Sequence, residues 1–235
     1  MKKCLCLIIS LVMLLSIAGC AAPSVEAPTQ PTEKAPVLPP TRLGEFGMTV
    51  SLVRSYTFET AMEASDAVAR IRIGDWLGET RSQTQYEAEV LECFKGELPK
   101  TFVLSQFGNS KKTVVSPVYP LFTSGNELFI FLSKVPDDVF EDQNIDYDEI
   151  YWSTGTFQTV LDVSYDENGN RYYADWWGDL GKSTGIPTLY KENRELFKQV
   201  YNYAMEDDPI RAEIQRSYPY VFAEEDVIAL IEQYK

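Results

Sequence analysis

The stretch Leu128-Phe129-Ile130-Phe131-Leu132, which follows Gly125-Asn126 and precedes Pro136, decides the fold class of this chain. It is continuously apolar and rich in residues that favour β-strands. Such a run, bounded by turn-forming residues, is typical of a strand that is buried on both faces. The sequence therefore predicts a central buried strand over residues 128–132.

Five further strands are expected around this central strand, three before it and two after it. Apolar residues at 67, 69, 71 and 73 alternate with Arg70 and Arg72, which is the period-two pattern of a half-buried strand. A second strand is expected over residues 84–94. Its alternation slips at Val90-Leu91, which indicates a β-bulge or burial on both faces. A third strand is expected over residues 101–107. After the central strand, alternating residues over 157–163 and a return strand over 171–174 flank Asn168-Gly169, which favours a tight hairpin turn.

Helices are predicted at both ends of the folded part. Thr57 can cap a short helix over residues 58–62. After Pro187 the apolar residues follow a helical period, Asp208-Pro209 is a good helix start, and a last helix carries Val227 to Tyr234. Together these elements predict an α+β fold, with a mainly antiparallel sheet or small barrel and C-terminal helices.

The N-terminus has the composition of an export signal. Lys2-Lys3 precedes a short apolar run over residues 5–17, which is the anatomy of a secretory signal. The run ends in Ile17-Ala18-Gly19-Cys20, which resembles the lipobox of bacterial lipoproteins. The resemblance implies that residues 1–19 are a signal peptide that is removed, and that a diacylglyceryl group on Cys20 anchors the chain to the membrane. The alternative is an N-terminal membrane anchor that is never cut.

Residues 20–42 are predicted to be a lipidated, proline-rich tether. Six of the 13 prolines of the chain lie here, and threonine, serine and alanine fill most of the gaps. This composition cannot bury a core, and as polyproline II at about 3.1 Å per residue it would reach on the order of 70 Å. The folded domain is therefore expected over residues 43–235, held off the membrane on its extracytoplasmic side.

Charge and residue types exclude several function classes. The net charge is −14, and loss of Lys2 and Lys3 with the signal would make it −16. Such a surface repels nucleic acid, so nucleic-acid binding is not expected. The chain contains no histidine, which excludes Ser-His-Asp and Cys-His catalysis and histidine-ligated metals. Cys93 is the one cysteine outside the signal and lipidation site, and we expect it to be a buried small residue.

A second resemblance covers residues 65–165. The strand Tyr86 to Val90, the turn Phe94-Lys95-Gly96, the strand Phe102 to Gln106 and the stretch 125–132 are similar to the pattern of secreted netrin-like, OB-type barrel domains. The resemblance implies a barrel-like fold. The disulfides that hold many netrin modules together are missing from this sequence. No functional residue is carried over.

The densest acidic segment, residues 137–149, is a candidate calcium site. Its alternating oxygen ligands resemble the start of an EF-hand loop and are Asp142, Asn144, Asp146 and Asp148. The pattern departs from an EF-hand at Tyr147, where glycine is needed, and at Ser153, where glutamate is needed. A calcium site of another kind and a simple solvated loop are the two interpretations, and no other cofactor is expected.

A cluster of aromatic residues is the candidate binding site. It consists of Tyr172, Tyr173, Trp176 and Trp177, with Asp175 and Asp179 nearby. Such rings can stack on sugar faces while the carboxylates accept hydrogen bonds from hydroxyl groups. The alternative is that the rings cover one end of the sheet. Adjacent tryptophans in a glycine-rich stretch do not easily both enter a core, and an exposed ring would mark a binding surface.

Three functions follow from these features. The first is a non-catalytic protein-interaction module of the cell envelope, which uses its barrel surface. The second is a carbohydrate-binding module that uses Trp176 and Trp177. The third is a hydrolase with a carboxylate pair, for which no residue pair stands out. The expected partners are the membrane, through the lipid on Cys20, and an envelope protein or glycan.

Overall fold

The computed structural model describes residues 55–80, 82–109, 121–136, 139, 150–176, 178–197 and 219–234. Three predicted segments lie outside the described residues: the signal with its tether, the helix expected at Asp208-Pro209, and all of the acidic segment 137–149 except Val139. The predicted fold class is confirmed. The sheet is mainly antiparallel, part of it closes into a barrel, and most of the described helices lie in the C-terminal third of the chain.

Five strands form the closed barrel. They are β1 (Ala67–Glu79), β2 (Gln83–Lys95), β3 (Thr101–Phe107), β4 (Glu127–Lys134) and β5 (Ile150–Ser153). Their order is β1-β2-β3-β5-β4, and β4 pairs back with β1 to close the ring. All neighbours are antiparallel except β3 and β5, which are parallel. The predicted central strand is therefore confirmed, since β4 contacts three other strands.

Three more strands extend the sheet from β4. They are β6 (Val160–Tyr165), β7 (Arg171–Asp175) and β8 (Tyr220–Ala223). β6 pairs with β4, β7 with β6 and β8 with β7, all antiparallel. The predicted hairpin around Asn168-Gly169 joins β6 to β7. Gly169 has a φ of 82°, a conformation that glycine adopts without strain. The four-residue strands β5 and β8 were not predicted, because they are too short to show a clear period.

The helices are short. They are α1 (Phe58–Ala64), α2 (Asp179–Thr184), α3 (Tyr190–Asn193) with a 3₁₀ turn over Arg194–Phe197, and α4 (Glu224–Gln233). The predicted cap of α1 is confirmed, because Thr57 and Thr60 form a reciprocal capping box. The helical pattern expected after Pro187 is present as far as residue 197, and α4 is the predicted last helix.

Two apolar cores lie on opposite faces of the central strands. The barrel interior is filled by the alternate residues of β1 and β4, among them Ile71, Leu128 and Ile130. The outer face packs a second core, in which Phe129 and Phe131 meet residues of β6 to β8, α1 and α4. Because β4 is buried on both faces, its sequence is continuously apolar.

A β-bulge in β2 explains the slip in its alternation. Arg70 of β1 pairs with Glu92, whereas the next residue, Ile71, pairs with Val90, so Leu91 is the extra residue. The bulge predicted at Val90-Leu91 is thereby confirmed. It bends the long β1–β2 ribbon so that one end closes against β4.

The predicted turn after β2 depends on Gly96. Its φ is 73°, and a Cβ at this position would overlap the carbonyl oxygen of Asp66. The neighbouring Lys95 ammonium donates hydrogen bonds to the carbonyl oxygens of Met62 and Ser65, at 2.6 Å for Ser65. A cation is favourable at the carbonyl end of a helix, so this turn fastens the end of α1 to the barrel.

Candidate functional site

Tyr173 is part of the core. Its ring is fully buried, and it packs edge to face on Phe129 with the ring centroids 5.2 Å apart. The phenol donates a hydrogen bond of 3.1 Å to the Glu224 carboxylate. Burial raises the pKa of Tyr173 to about 12, against the opposing effect of nearby arginines. This ring stabilises the second core and has no exposed face for a sugar.

Trp176 and Tyr172 lie on the other face of β7. The Trp176 indole N–H donates a hydrogen bond to the Asp162 carboxylate, and its ring meets Phe197 edge to face at 6.0 Å. Tyr172 packs against the same cluster, and both rings are half-buried. For these residues the structure matches the interpretation of rings that cover the sheet. Trp177 lies outside the described residues.

The two carboxylates near the aromatic cluster accept hydrogen bonds from groups of the chain itself. Asp175 is buried and accepts hydrogen bonds from the backbone N–H groups of Gly178 and Gly181, at 2.7 and 2.8 Å. Asp179 accepts from the Ser55 hydroxyl at 3.1 Å and from the Gln158 amide at 3.2 Å. Both side chains therefore already serve the fold.

Asp162 is a carboxyl group in an apolar setting. It lies on β6 and faces the cluster that contains Trp176 and Phe197. Burial raises the pKa of Asp162 to about 6, and the hydrogen bond from Trp176 opposes part of that shift. The charged form is therefore costly to the fold at neutral pH.

The sequence did not predict the most extensive polar feature, which we call the arginine cluster. It lies where the second core reaches solvent and comprises Arg70, Arg72, Arg171, Glu89, Glu92, Glu127, Glu224 and Tyr165. The alternation of Arg70 and Arg72 with apolar residues was visible in the sequence. The sequence pattern did not identify their common partner, Glu127, because it is 57 residues from Arg70 and 55 residues from Arg72 along the chain.

Glu127 is the centre of the arginine cluster. Arg70 and Arg72 each donate to its carboxylate at 2.9 Å, and the Tyr165 phenol donates at 2.6 Å. Burial by itself would raise the pKa of this carboxyl. The three hydrogen bonds outweigh burial and hold the pKa below its ordinary value. Arg171 stacks on the Tyr165 ring at 5.5 Å and pairs with Glu224. The cluster joins strands that are distant in sequence.

The outer end of β1 presents two adjacent apolar side chains to solvent. Trp76 is 43% exposed and Leu77 is 51% exposed. Asp75 and Glu79 beside them are also exposed. Single exposed apolar residues are ordinary on a protein surface, and two large ones follow each other here at one end of a strand.

Cys93 lies on the surface, so its predicted burial is wrong. It is on β2, opposite Ala69 of β1 and just before the turn at Gly96, in a part of the strand pair that has register shifts. Its thiol donates weakly to the carbonyl oxygens of Lys95 and Gly96. Partial shielding of the thiol raises its pKa. A raised pKa lowers the thiolate fraction at neutral pH.

The four proposed calcium ligands, Asp142, Asn144, Asp146 and Asp148, lie outside the described residues. Among the residues that the structure does describe, there is no cluster of three acidic or cysteine side chains that suits a metal ion. In that same part of the chain, no helix has the length and apolar character needed to cross a membrane.

No protein-family model matches this chain, and no curated protein matches it significantly.

Proposed function

We propose that this chain is a bacterial cell-envelope lipoprotein whose barrel domain binds another protein and performs no catalysis. The anchor is the lipid on Cys20, and residues 20–42 are the tether. The sequence supports this placement through the basic start, the short apolar run and the small residues before Cys20. One acyl chain binds a membrane only marginally, so a diacylglyceryl group is the kind of anchor that would hold the domain stably.

The observation that carries the binding function is the exposed pair Trp76 and Leu77. Both lie within β1, where Trp76 pairs with Tyr86 of β2 and register shifts occur on either side of Trp76. Exposed tryptophan is enriched at sites of protein recognition because its large ring buries much area with little loss of side-chain entropy. The closed order β1-β2-β3-β5-β4 also supports the resemblance to OB-type barrels, which use a rigid barrel to present binding residues.

The anchor and the binding function are tested separately. Metabolic labelling with a palmitate analogue in producing cells should modify the wild-type chain and leave a Cys20→Ser variant unlabelled. An unlabelled wild-type chain would remove the anchor from the proposal.

For binding, the full-length protein is crosslinked on intact cells and the captured material is identified by mass spectrometry. A specific protein partner is the expected result. Captured glycan that a folded Trp176→Ala/Trp177→Ala variant loses would instead make this a carbohydrate-binding lipoprotein. Turnover of envelope polymers by the purified chain would favour the hydrolase.

A further inference from the structure

A short segment, residues 55–57, leads into α1 at the N-terminal side of the described domain. In the proposed function this segment lies between the tether and the barrel. Because the chain is covalently continuous, tension in the tether passes along residue 55 before it reaches β1. The contacts of this segment therefore decide how the described domain resists a pull from its anchor.

Hydrogen bonds fix the segment to α2, which lies 124 and 125 residues away along the chain for the two bonds concerned. The Ser55 hydroxyl donates to the Asp179 carboxylate at 3.1 Å. The backbone N–H of Phe58, which has no acceptor within its own helix, donates to the Ser183 hydroxyl at 2.8 Å. Ser183 in turn donates to the carbonyl oxygen of Leu180 at 2.6 Å, so its hydroxyl is held in place.

The turn that follows β5 gives the segment a rigid surface. Gly155 has a φ of 71°, and a Cβ there would lie 2.5 Å from a carbon of the Tyr56 ring, so this ring rests directly on the glycine backbone. Thr156 has a φ of 65°, which is strained for a β-branched residue. Such strain persists only where the surrounding structure fixes the backbone. Here the Thr154 N–H donates to the carbonyl oxygen of Phe131 in β4 at 2.8 Å.

The C-terminal end of α1 is fastened as well. The Ser65 hydroxyl lies within hydrogen-bond distance of the Thr154 hydroxyl, at 3.0 Å. The Lys95 ammonium donates to the carbonyl oxygen of Ser65 at 2.6 Å, and the backbone N–H of Asp66 donates to Leu132 of β4 at 2.9 Å. A pull on the tether therefore meets contacts at both ends of a seven-residue helix before it reaches β1.

We propose that residues 55–58, held by Asp179, Ser183 and Gly155, form a clamp that resists tension from the tether and keeps β1 in the barrel. The inference rests on the proposed function, because a chain anchored at Cys20 is pulled from this side. β1 is the strand that such a pull reaches first, and it pairs with both β2 and β4, so its loss would open the ring. Unfolding under force is governed by the rate of unfolding, so contacts that break before β1 is released act on it directly.

Two explanations compete with a clamp. In the first, these contacts add only to the overall stability of the fold, as other buried contacts do. In the second, the load is carried by residues 43–54, which lie outside the described residues. The direction of pulling separates the explanations, because a clamp protects against tension from the N-terminal side and not against tension applied elsewhere.

The test stretches the full-length chain, in detergent, in magnetic tweezers from two pairs of positions. Each handle is coupled to an azide-bearing amino acid. In the first geometry the handles are at position 40, in the tether, and at position 97, so the load passes through the clamp. In the second they are at positions 97 and 167, where Glu97 and Glu167 are exposed, so the load bypasses the clamp.

Each clamp variant has a matched control. Gly155→Ala places a Cβ against the aromatic ring of the clamp, whereas Gly169→Ala, at a similar φ of 82°, meets nothing within 4 Å. Ser183→Ala removes a part-buried hydroxyl that bonds the backbone in the clamp, and Ser164→Ala removes one that bonds the backbone in β6. Ser183→Ala is the milder change and keeps the test decisive if Gly155→Ala does not fold.

In the first geometry we expect each clamp variant to unfold about fivefold faster than its control at the same force, which is the size of effect that one lost hydrogen bond produces. In the second geometry each clamp variant should match its control within about twofold. Equal acceleration in both geometries would show that the contacts add only to overall stability. Unchanged rates in the first geometry would show that the load is carried elsewhere, for example by residues 43–54. Either result would overturn the proposal.

Failure of the proposed function is seen separately. A wild-type chain that the palmitate analogue does not label would reject the anchor and with it the source of the tension. A labelled chain whose clamp variants unfold at the rate of their controls would retain the lipoprotein and reject only the clamp.

Discussion

The two halves of β1 differ in burial although they belong to one strand. The inner half, Ala67–Arg72, lies between β2 and β4, and its apolar side chains are buried. The outer half, residues 74–79, pairs with β2 and exposes Trp76 and Leu77. Leucine and tryptophan are as apolar as the residues of the inner half. The difference lies in the neighbour, because the pairing of β4 with β1 begins at Glu127 and extends no further along β1.

The two halves of β1 therefore serve different purposes in the same molecule. The inner half builds the barrel interior with Ile71 and its neighbours, while Arg70 and Arg72 bind Glu127 on the outside. The outer half contributes little to the core and exposes Trp76 and Leu77. Mutations in the inner half should therefore affect folding, and those in the outer half should affect partner binding.

The largest expected effect comes from truncating matched aliphatic residues in the two halves. Ile71→Ala removes a fully buried side chain from the barrel and should lower the free energy of unfolding by about 2–5 kcal/mol. Leu77→Ala removes an exposed side chain and should change it by about 0.5 kcal/mol or less. Urea denaturation of both variants measures the difference. Equal losses would contradict the division of β1 into two halves.

Breaking the arginine cluster is expected to have the next largest effect. Glu127→Ala leaves Arg70 and Arg72 without their common partner, and the side chain of Arg70 is 12% exposed. A loss of about 2 kcal/mol is expected, less than for a fully buried pair because Arg72 is nearly half exposed. Glu127→Gln, which retains an acceptor, should cost less. A neutral Glu127→Ala variant would show that the cluster does not stabilise the fold.

The pH dependence of the same cluster has a defined sign. The pKa of Glu127 is lowered in the folded state, so its charge stabilises the fold above its ordinary pKa of about 4.5. That stabilisation is lost as the pH falls through the lowered pKa. The difference in stability between the wild type and Glu127→Gln should therefore shrink in acid. A difference that grows below pH 4 would contradict this assignment.

Asp162 should show the opposite dependence. It is opposite Leu128, which in turn is opposite Ile71 of the inner half. Because burial raises its pKa to about 6, the folded state binds the proton more tightly than the unfolded state. The contribution of Asp162 to stability should fall as the pH rises from about 4 to about 6. Asp162→Asn, which keeps an acceptor for Trp176, should be more stable on the order of 1–2 kcal/mol at pH 8.

The control for Asp162 is Glu167→Gln, which removes an exposed carboxylate from the hairpin turn. Its stability should follow the wild type at every pH. The Asp162→Asn variant should also approach the wild type below pH 4, where both side chains are uncharged. An advantage of Asp162→Asn that persists unchanged in acid would assign the effect to packing and not to charge.

The smallest expected effect is at Cys93, which lies opposite Ala69 and yet is exposed. Cys93→Ala should change the free energy of unfolding by about 0.5 kcal/mol or less and leave partner binding intact. In the native protein a maleimide should label this thiol, and faster at alkaline pH because its pKa is raised. Labelling that requires denaturation would restore the interpretation of Cys93 as a buried residue.

Local patterns in the sequence were sufficient for most elements. The alternation around Arg70 and Arg72 predicted β1, the apolar run 128–132 predicted β4, and Asn168-Gly169 predicted the hairpin. The phase slip at Val90-Leu91 even located a bulge. These features follow from spacing, turn residues and period, all of which act within a few residues.

The candidate site was less predictable for a physical reason. Tyr173 looked like a binding residue in the sequence, yet it packs on Phe129. Cys93 looked like a core residue, yet it lies exposed on β2 just before the turn at Gly96. Side-chain exposure depends on what the rest of the chain places opposite a residue, and a window of neighbours does not contain that information.

The sequence by itself determined the fold class, the order of most strands and helices, and the acidic character of the chain. Tertiary structure decided which strands close the barrel, where β5 and β8 join it, and how far β4 covers β1. It also brought Glu127 to Arg70 across 57 residues of chain. Period and turn chemistry are local properties, whereas pairing and burial depend on contacts between distant segments, and these contacts left Trp76 and Leu77 exposed.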